Sequence, residues 1–491
     1  MGVQERTRGS GILLAVSSLP SPFGIGTLGD AAFRFVDLLV DLRQKYWQVL
    51  PSEPAGARDG RHPFLSAFAG NPCLIDLESL SQEGLLTPEE IGGFARASGS
   101  EKDTGEALLG RLSILRKACE RFDAESPAFA EFFAQNRYWL EDYTLYMAVR
   151  ESRKEEAWQR WPEEIRKKQP VALAKCRSAL YNNIRFWGFC QYKFYEQWFR
   201  LKRYASARGI RLIGNLPLYI GEDSADVWAH DRLFLLDEAG YPLYVTASAD
   251  RSPGAGQVWG SPLYDWAASA AEDFAWWRQR MRRCAQMFDV IKIDRFDGLV
   301  KSYGVPRGQE DASGGRWFKG PGRKLAEALN AEAKDRCVIA DDGCFSSAVP
   351  GAGKLSDRIG WLRTRVLSHA FDGNTANVHL PHNYTDCREA VYTGYDGGTT
   401  AGYFRDKTEY ELAYLYEYLH IGSQEDIADA MIRCAYASVA DIAVVPMQDL
   451  LKIGGGTSAL KDGSWRWSPD EEQLDERRRA WIRNLAAVYR R

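Results

Sequence analysis

Three apolar runs each stop on an aspartate. "VIKID" ends on Asp294, "CVIAD" on Asp341 with Asp342 beside it, and "AVYTGYD" on Asp396. Carboxylates are rarely buried unless they are paired or put to use. Two of them facing each other across a ring-shaped substrate, about 5 Å apart, suit retaining glycoside chemistry, with one as nucleophile and the other as acid and base. The competing reading of any single one is a cap on the helix that follows its strand. The stretch "VIKIDRFDG" poses the contrast most sharply, because a strand-like alternation gives way to three charged residues out of four, Asp294, Arg295 and Asp297. Lys292 and Arg295 flank Asp294 and would favour its anionic form.

Such carboxylates need a rim to stand on. Eight short apolar or β-branched runs recur, at 12–18, 46–50, 210–220, 290–294, 337–341, 365–371, 390–395 and 442–447. Several are almost entirely apolar, as strands buried on both faces are. Helical patterns lie between most of them, including 31–42, 268–287, 324–335 and 424–437. Eight strand-then-helix units predict an α/β fold, a (β/α)8 TIM barrel, with its chemistry at the C-terminal ends of the strands. The interval between the second and third strands is too long for one crossover. Its aromatic- and charge-rich helical patterns predict a helical insertion over 80–209 within a single barrel spanning 1–491.

Composition narrows the ligand. The chain has 491 residues, 45% of them hydrophobic, which allows a large core, and its 63 basic and 66 acidic residues leave a net charge of −3. That balance argues against nucleic acid or an anionic membrane as partner and suits a neutral small molecule. Nine dispersed cysteines without a CxxC pair read as reduced thiols in a cytoplasm. Only six histidines are present, so a metal site has little to draw on, and neither metal nor cofactor is expected. The apolar run at 12–16 is too short for a signal segment or a membrane span. Nothing in the pattern bears on oligomeric state.

Seven segments then carry a specific resemblance. "SSLPSPFGIGTLGD", "SAFAGNPCLIDLESL", "DSADVWA", "VWGSPLYDW", "GRWFKGPG", "LPHNY" and "VVPMQDLL" resemble, in order and over essentially the whole chain, the characteristic blocks of the amylomaltases. These are the 4-α-glucanotransferases of glycoside hydrolase family 77. The resemblance implies an enzyme that breaks an α-1,4 bond in a maltooligosaccharide and holds the donor part as a covalent glucosyl-enzyme. It then passes that part to the 4-hydroxyl of another glucan. By matching position Asp294 is the nucleophile, Asp341 the general acid/base, and Asp396 the carboxylate that grips sugar hydroxyls. Lys292 stands where the family has an arginine that orients the nucleophile, and Tyr395 where it has a histidine bonded to substrate. Trp259 and Tyr264 lie in the matched glucan-binding block, and His382 and Asn383 in the block near the substrate. A tryptophan can bury the apolar face of glucose, although plain packing would equally explain it.

The polar positions depart from the family pattern while the packing blocks do not. "KIDRFDG" stands for "RIDHFRG", "ADDGC" for "AEDLG", "GYDGG" for "THDND", and "GNLP" for "GDLP". Asp341 is one methylene shorter than the family glutamate, about 1.5 Å, and lysine cannot reproduce the bidentate grip of arginine. Three readings are therefore open. One is a 4-α-glucanotransferase working by retaining double displacement, and another is a glucan-binding or regulatory homologue on the same barrel. The third is an enzyme in which Arg61, Arg251 and Arg295 face an anionic or phosphorylated sugar. The enzyme reading requires the Asp294 and Asp341 carboxyls to stand about 5–5.5 Å apart.

Overall fold

Eight parallel strands, numbered around the barrel, close on themselves: Gly9–Leu13 (β1), Tyr46–Gln48 (β2), Arg211–Pro217 (β3), Val290–Asp294 (β4), Cys337–Asp341 (β5), Leu362–Val366 (β6), Glu389–Tyr392 (β7) and Ile442–Pro446 (β8). Each pairs with its neighbours in sequence, and β8 pairs back with β1. The computed structural model describes residues 8–50, 65–98, 104–248, 257–341, 349, 351–394, 399–405, 407–453 and 474–491. Asp342, Tyr395, Asp396, Arg61 and Arg251 lie outside the described residues. Among the described residues no helix is long and apolar enough to cross a membrane.

The period of two along a strand decides what faces inward. Leu13, Tyr46, Ile213, Val290, Ile339, Leu362, Ala390 and Val444 pack together inside the barrel. Ile291, Ile293, Val338 and Ala340 instead join the larger core against the helices. On β4 the inward set is therefore Val290, Lys292 and Asp294, and on β5 it runs through Ile339 to Asp341. On β3 it places Asn215 two residues above Ile213. A barrel interior filled in layers thus carries a polar layer just beneath its C-terminal mouth.

The helical run between β2 and β3 contains two long helices, Pro127–Ser152 and Tyr181–Ala207, packed on each other. The connections that leave the C-terminal ends of β3 and β4 build something the sequence pattern did not announce. Val258–Pro262, Tyr244–Ala247, Lys301–Pro306 and Arg316–Lys319 form, in that order, a four-stranded antiparallel sheet beside the mouth.

Several boundaries differ from the expected ones. The first strand is Gly9–Leu13, not 12–18, and Val16–Ser18 is a 3-10 turn. Glycine looks like a strand breaker, but a Cβ at Gly11 would fall 2.5 Å from the Tyr46 side chain, so the close approach of β2 requires it. The sixth strand is Leu362–Val366, with 3-10 structure at Leu367–His369 in place of the expected strand. Its outward-facing Arg363 hid its start, and Arg365 faces the same way. Both are matched by the fully buried Glu389, at 2.6 and 3.1 Å. The helix expected at 268–287 is two, Trp266–Ala271 and Ala275–Met287, broken at Asp273 and Phe274 in the left-handed region.

Candidate active site

Asp294 and Asp341 are opposed partners in the register of β4 and β5, each the last residue of its strand. Both project into the barrel mouth, and Lys292 rises between them from one inward position below. Its Nζ lies 3.1 Å from Asp294 Oδ1 and 2.6 Å from Asp341 Oδ2. The two bonded oxygens are thus less than about 6 Å apart, a spacing compatible with the pair needed for retention.

The three side chains differ in access. Lys292 is 2% exposed and Asp341 0%, whereas Asp294 is 22% exposed and faces the mouth. Burying an ammonium is costly unless it is paired, and here two carboxylates match it. Asn215, register partner of Lys292 on β3, donates from Nδ2 to Asp294 Oδ2 at 2.9 Å. Both oxygens of Asp294 are therefore held by donors from below and from the side. In the sequence Asn215 is only a departure from the family pattern, yet it holds one of the two Asp294 oxygens.

After Asp294 the chain turns sharply. Arg295 sits at φ 58°, in the left-handed region that a non-glycine residue enters at a cost of roughly 1 kcal/mol. The turn directs its guanidinium over Trp259, 4.1 Å from the ring centroid, with Nη2 3.5 Å from Asp297 Oδ2. Trp259 belongs to the antiparallel sheet, so this stack ties the sheet to the strand that ends on Asp294. Burial pushes the Asp297 carboxyl up to about 6; Arg295 opposes that shift and the negative charge of Asp341 adds to it.

The remaining positions fall into two groups. Trp259 lines the mouth wall with Arg295. Tyr264 stands behind that wall, buried among Phe234, Trp266, Trp276 and Trp277, with its hydroxyl donated to the Leu218 carbonyl at 2.7 Å. His382 is exposed, and its ring nitrogens lie 3.0 Å from the Tyr418 hydroxyl and 3.1 Å from the Thr375 carbonyl. Asn383 donates to the carbonyls of Thr375 and Asn377, both at 2.9 Å. These three residues shape the walls and loops.

Sequence reasoning missed two imidazoles nearer the carboxylates. His379, buried, accepts the Val366 N–H on Nδ1 at 3.2 Å, and burial holds its pKa down to about 4. His369, in the 3-10 turn that follows β6, is likewise lowered by burial, then by Lys407, with Asp341 opposing. The "LPHNY" block pointed to the right segment, but the buried histidine is the residue just before it, His379, and not His382.

The comparisons with known proteins agree in direction. The 4-alpha-glucanotransferase family pattern of glycoside hydrolase family 77 matches residues 14–467. A 4-alpha-glucanotransferase of Synechocystis is 37% identical over 487 residues, covering 96% of this chain and 95% of that one. One of Thermus thermophilus is 36% identical over 504 residues, covering 99% and 100%. Among solved structures, the amylomaltase of Streptococcus agalactiae in complex with acarbose superposes with a TM-score of 0.91 at 31% identity, covering 99% of each chain.

Proposed function

The chain belongs to the 4-alpha-glucanotransferase family, and on that premise we propose how its own residues carry out the transfer. It is a 4-α-glucanotransferase that moves α-1,4-glucan segments between maltooligosaccharides by retaining double displacement. In the proposed mechanism an Asp294 oxygen attacks the anomeric carbon while Asp341 gives its proton to the departing 4-oxygen. One glucan fragment leaves and the other stays as a glucosyl ester. The 4-hydroxyl of a second glucan then attacks the same carbon and returns its proton to Asp341, and the ester bond breaks. Two inversions restore the α configuration.

The single observation that supports this pairing is the Lys292 ammonium within bonding distance of both carboxylates, which sets them on either side of one point and keeps Asp294 anionic. Asp341 must take up its proton against that ammonium before it acts as acid. The ammonium keeps Asp294 aimed at the mouth together with Asn215, and it holds the shorter Asp341 side chain close to the reacting position. Asp396 is the third carboxylate in this reading and takes sugar hydroxyls, with Tyr395 beside it; Trp259 offers a wall for a ring. Tyr264, His382 and Asn383 act by supporting that wall and the loop after β6. The cytoplasm is the proposed location, in keeping with the free cysteines among the described residues.

A donor whose leaving group needs no proton separates the roles. Asp341→Ala should still be glycosylated by maltosyl fluoride and should yield glycosyl azide when azide is added, while losing transfer from maltotriose. Wild-type transfer from maltotriose by Asp341→Ala would remove Asp341 from the mechanism.

A further inference from the structure

We propose that Asp297 is a specificity-determining residue: its carboxyl accepts a hydroxyl of the neutral glucan chain lying along the Trp259 side of the mouth. This rests on the transferase reading above and names the contact that selects the bound glucan.

Asp297 lies in the 3-10 turn Phe296–Leu299, directly after the nucleophile strand. Its side chain is 6% exposed. Its Oδ2 is only loosely engaged, at 3.5 Å from Arg295, and its buried Oδ1 has no partner at hydrogen-bond geometry among the described residues, although the backbone N–H groups of Asp297 and Gly298 lie near enough to the carboxyl to favour its charge. A buried acceptor without a donor is costly, and the cost is larger when the group is charged. A hydroxyl from outside the chain would remove it.

The surroundings select the kind of molecule. Asp297 borders a small hollow with Tyr219, Ser248, Trp259, Ser302 and Trp317, sized for one substituent of a sugar rather than a whole ring. The Tyr219 hydroxyl donates to Ser302 Oγ at 2.7 Å, and Ser302 donates in turn to the Gly298 carbonyl at 3.4 Å. Two tryptophans flank the carboxyl, and each carries a cation on its ring: Arg295 on Trp259 at 4.1 Å, and Lys301 on Trp317 at 4.0 Å. A cationic ligand would meet both of these charges, and an anionic one would meet Asp297. A neutral polyhydroxylated ring can lie on aromatic faces and direct one hydroxyl at the open carboxylate oxygen.

The test uses wild type, Asp297→Asn and Asp297→Ala with maltotriose to maltoheptaose, reading kcat and KM separately alongside the melting temperature. The account expects KM to rise about ten-fold or more in Asp297→Ala, as for a lost hydrogen bond to a charged group, with kcat within about two-fold. A series of monodeoxy maltosides is then compared as acceptors. One deoxy position should cost wild type about ten-fold in kcat/KM and cost Asp297→Ala nothing further. Unchanged KM in the variant, a kcat collapse at constant KM, or no sensitive deoxy position in wild type would each overturn the proposal. The wild-type deoxy series decides the matter even if the variants fold poorly. Failure of the transferase reading would show separately, as absence of any transfer by wild type.

Discussion

Lys292 reaches Asp341 at 2.6 Å in a pairing whose two side chains are 2% and 0% exposed, inside a barrel built to exclude water. Removing one partner of a buried ion pair leaves the other charge uncompensated, which typically costs about 3–5 kcal/mol. Lys292→Met should therefore lower unfolding free energy by roughly that amount, read by urea denaturation, and abolish transfer. Lys292→Arg keeps the charge and should retain most of the stability. A Lys292→Met variant as stable as wild type would show that the ammonium is not what balances the mouth.

Asn215 is the second support of Asp294. Asn215→Ala removes the 2.9 Å donor to Asp294 Oδ2 and should reduce kcat about 10- to 100-fold, the worth of a hydrogen bond to a charged group. KM should change little. Asn215→Asp places a like charge against Asp294 and should reduce kcat further, although it differs by a single atom. Equal activities in the two variants would mean that the amide is only packing.

Asp297 carries a pH signature in stability. Its folded pKa, about 6, lies above its ordinary value of 3.8 because burial penalises the anion; Asp341 raises it, Arg295 lowers it, and Lys301 and Tyr219 face the same hollow. A raised carboxyl pKa means that the native state binds the proton more tightly. Stability from this group is full below about pH 4 and is lost as pH rises through 6. Asp297→Asn removes the loss, so relative to wild type it should gain up to about 3 kcal/mol on going from pH 4 to pH 8. Melting curves at the two pH values measure it.

His379 works in the opposite sense. Burial holds it down to about 4 against an ordinary 6.5, so the neutral ring is the native form. The stability it contributes is present above pH 6.5 and is lost as pH falls towards 4, about 3 kcal/mol in all. His379→Gln should flatten the acid limb of the stability curve over that window, and an unchanged limb would place the acid sensitivity elsewhere.

The sequence disclosed the barrel where strands obey one rule and concealed it where two rules compete. β4 and β5 were legible because nearly every residue before the terminal aspartate is apolar, and the same alternation that gives the strand also aims Lys292, Asp294 and Asp341 inward. β6 was placed three residues late because Arg363 imitates a loop residue, and only the buried Glu389 on β7, a non-local partner, makes it a strand residue. The antiparallel sheet escaped notice because its strands have four to six residues and depend on pairing across connections of up to dozens of residues. Tyr264 and Trp259 sit in one motif and look alike in sequence. Only packing separates the buried ring, with its hydroxyl on Leu218, from the ring stacked under Arg295 at the mouth.

The central claim, that Asp294 carries a glucosyl unit from one chain to another, is tested most directly with maltotriose as the only sugar. The products are resolved over hours for wild type and Asp294→Asn. The account predicts glucose together with maltopentaose and longer oligomers from wild type, and none from Asp294→Asn. Equal product ladders from the two proteins would contradict it.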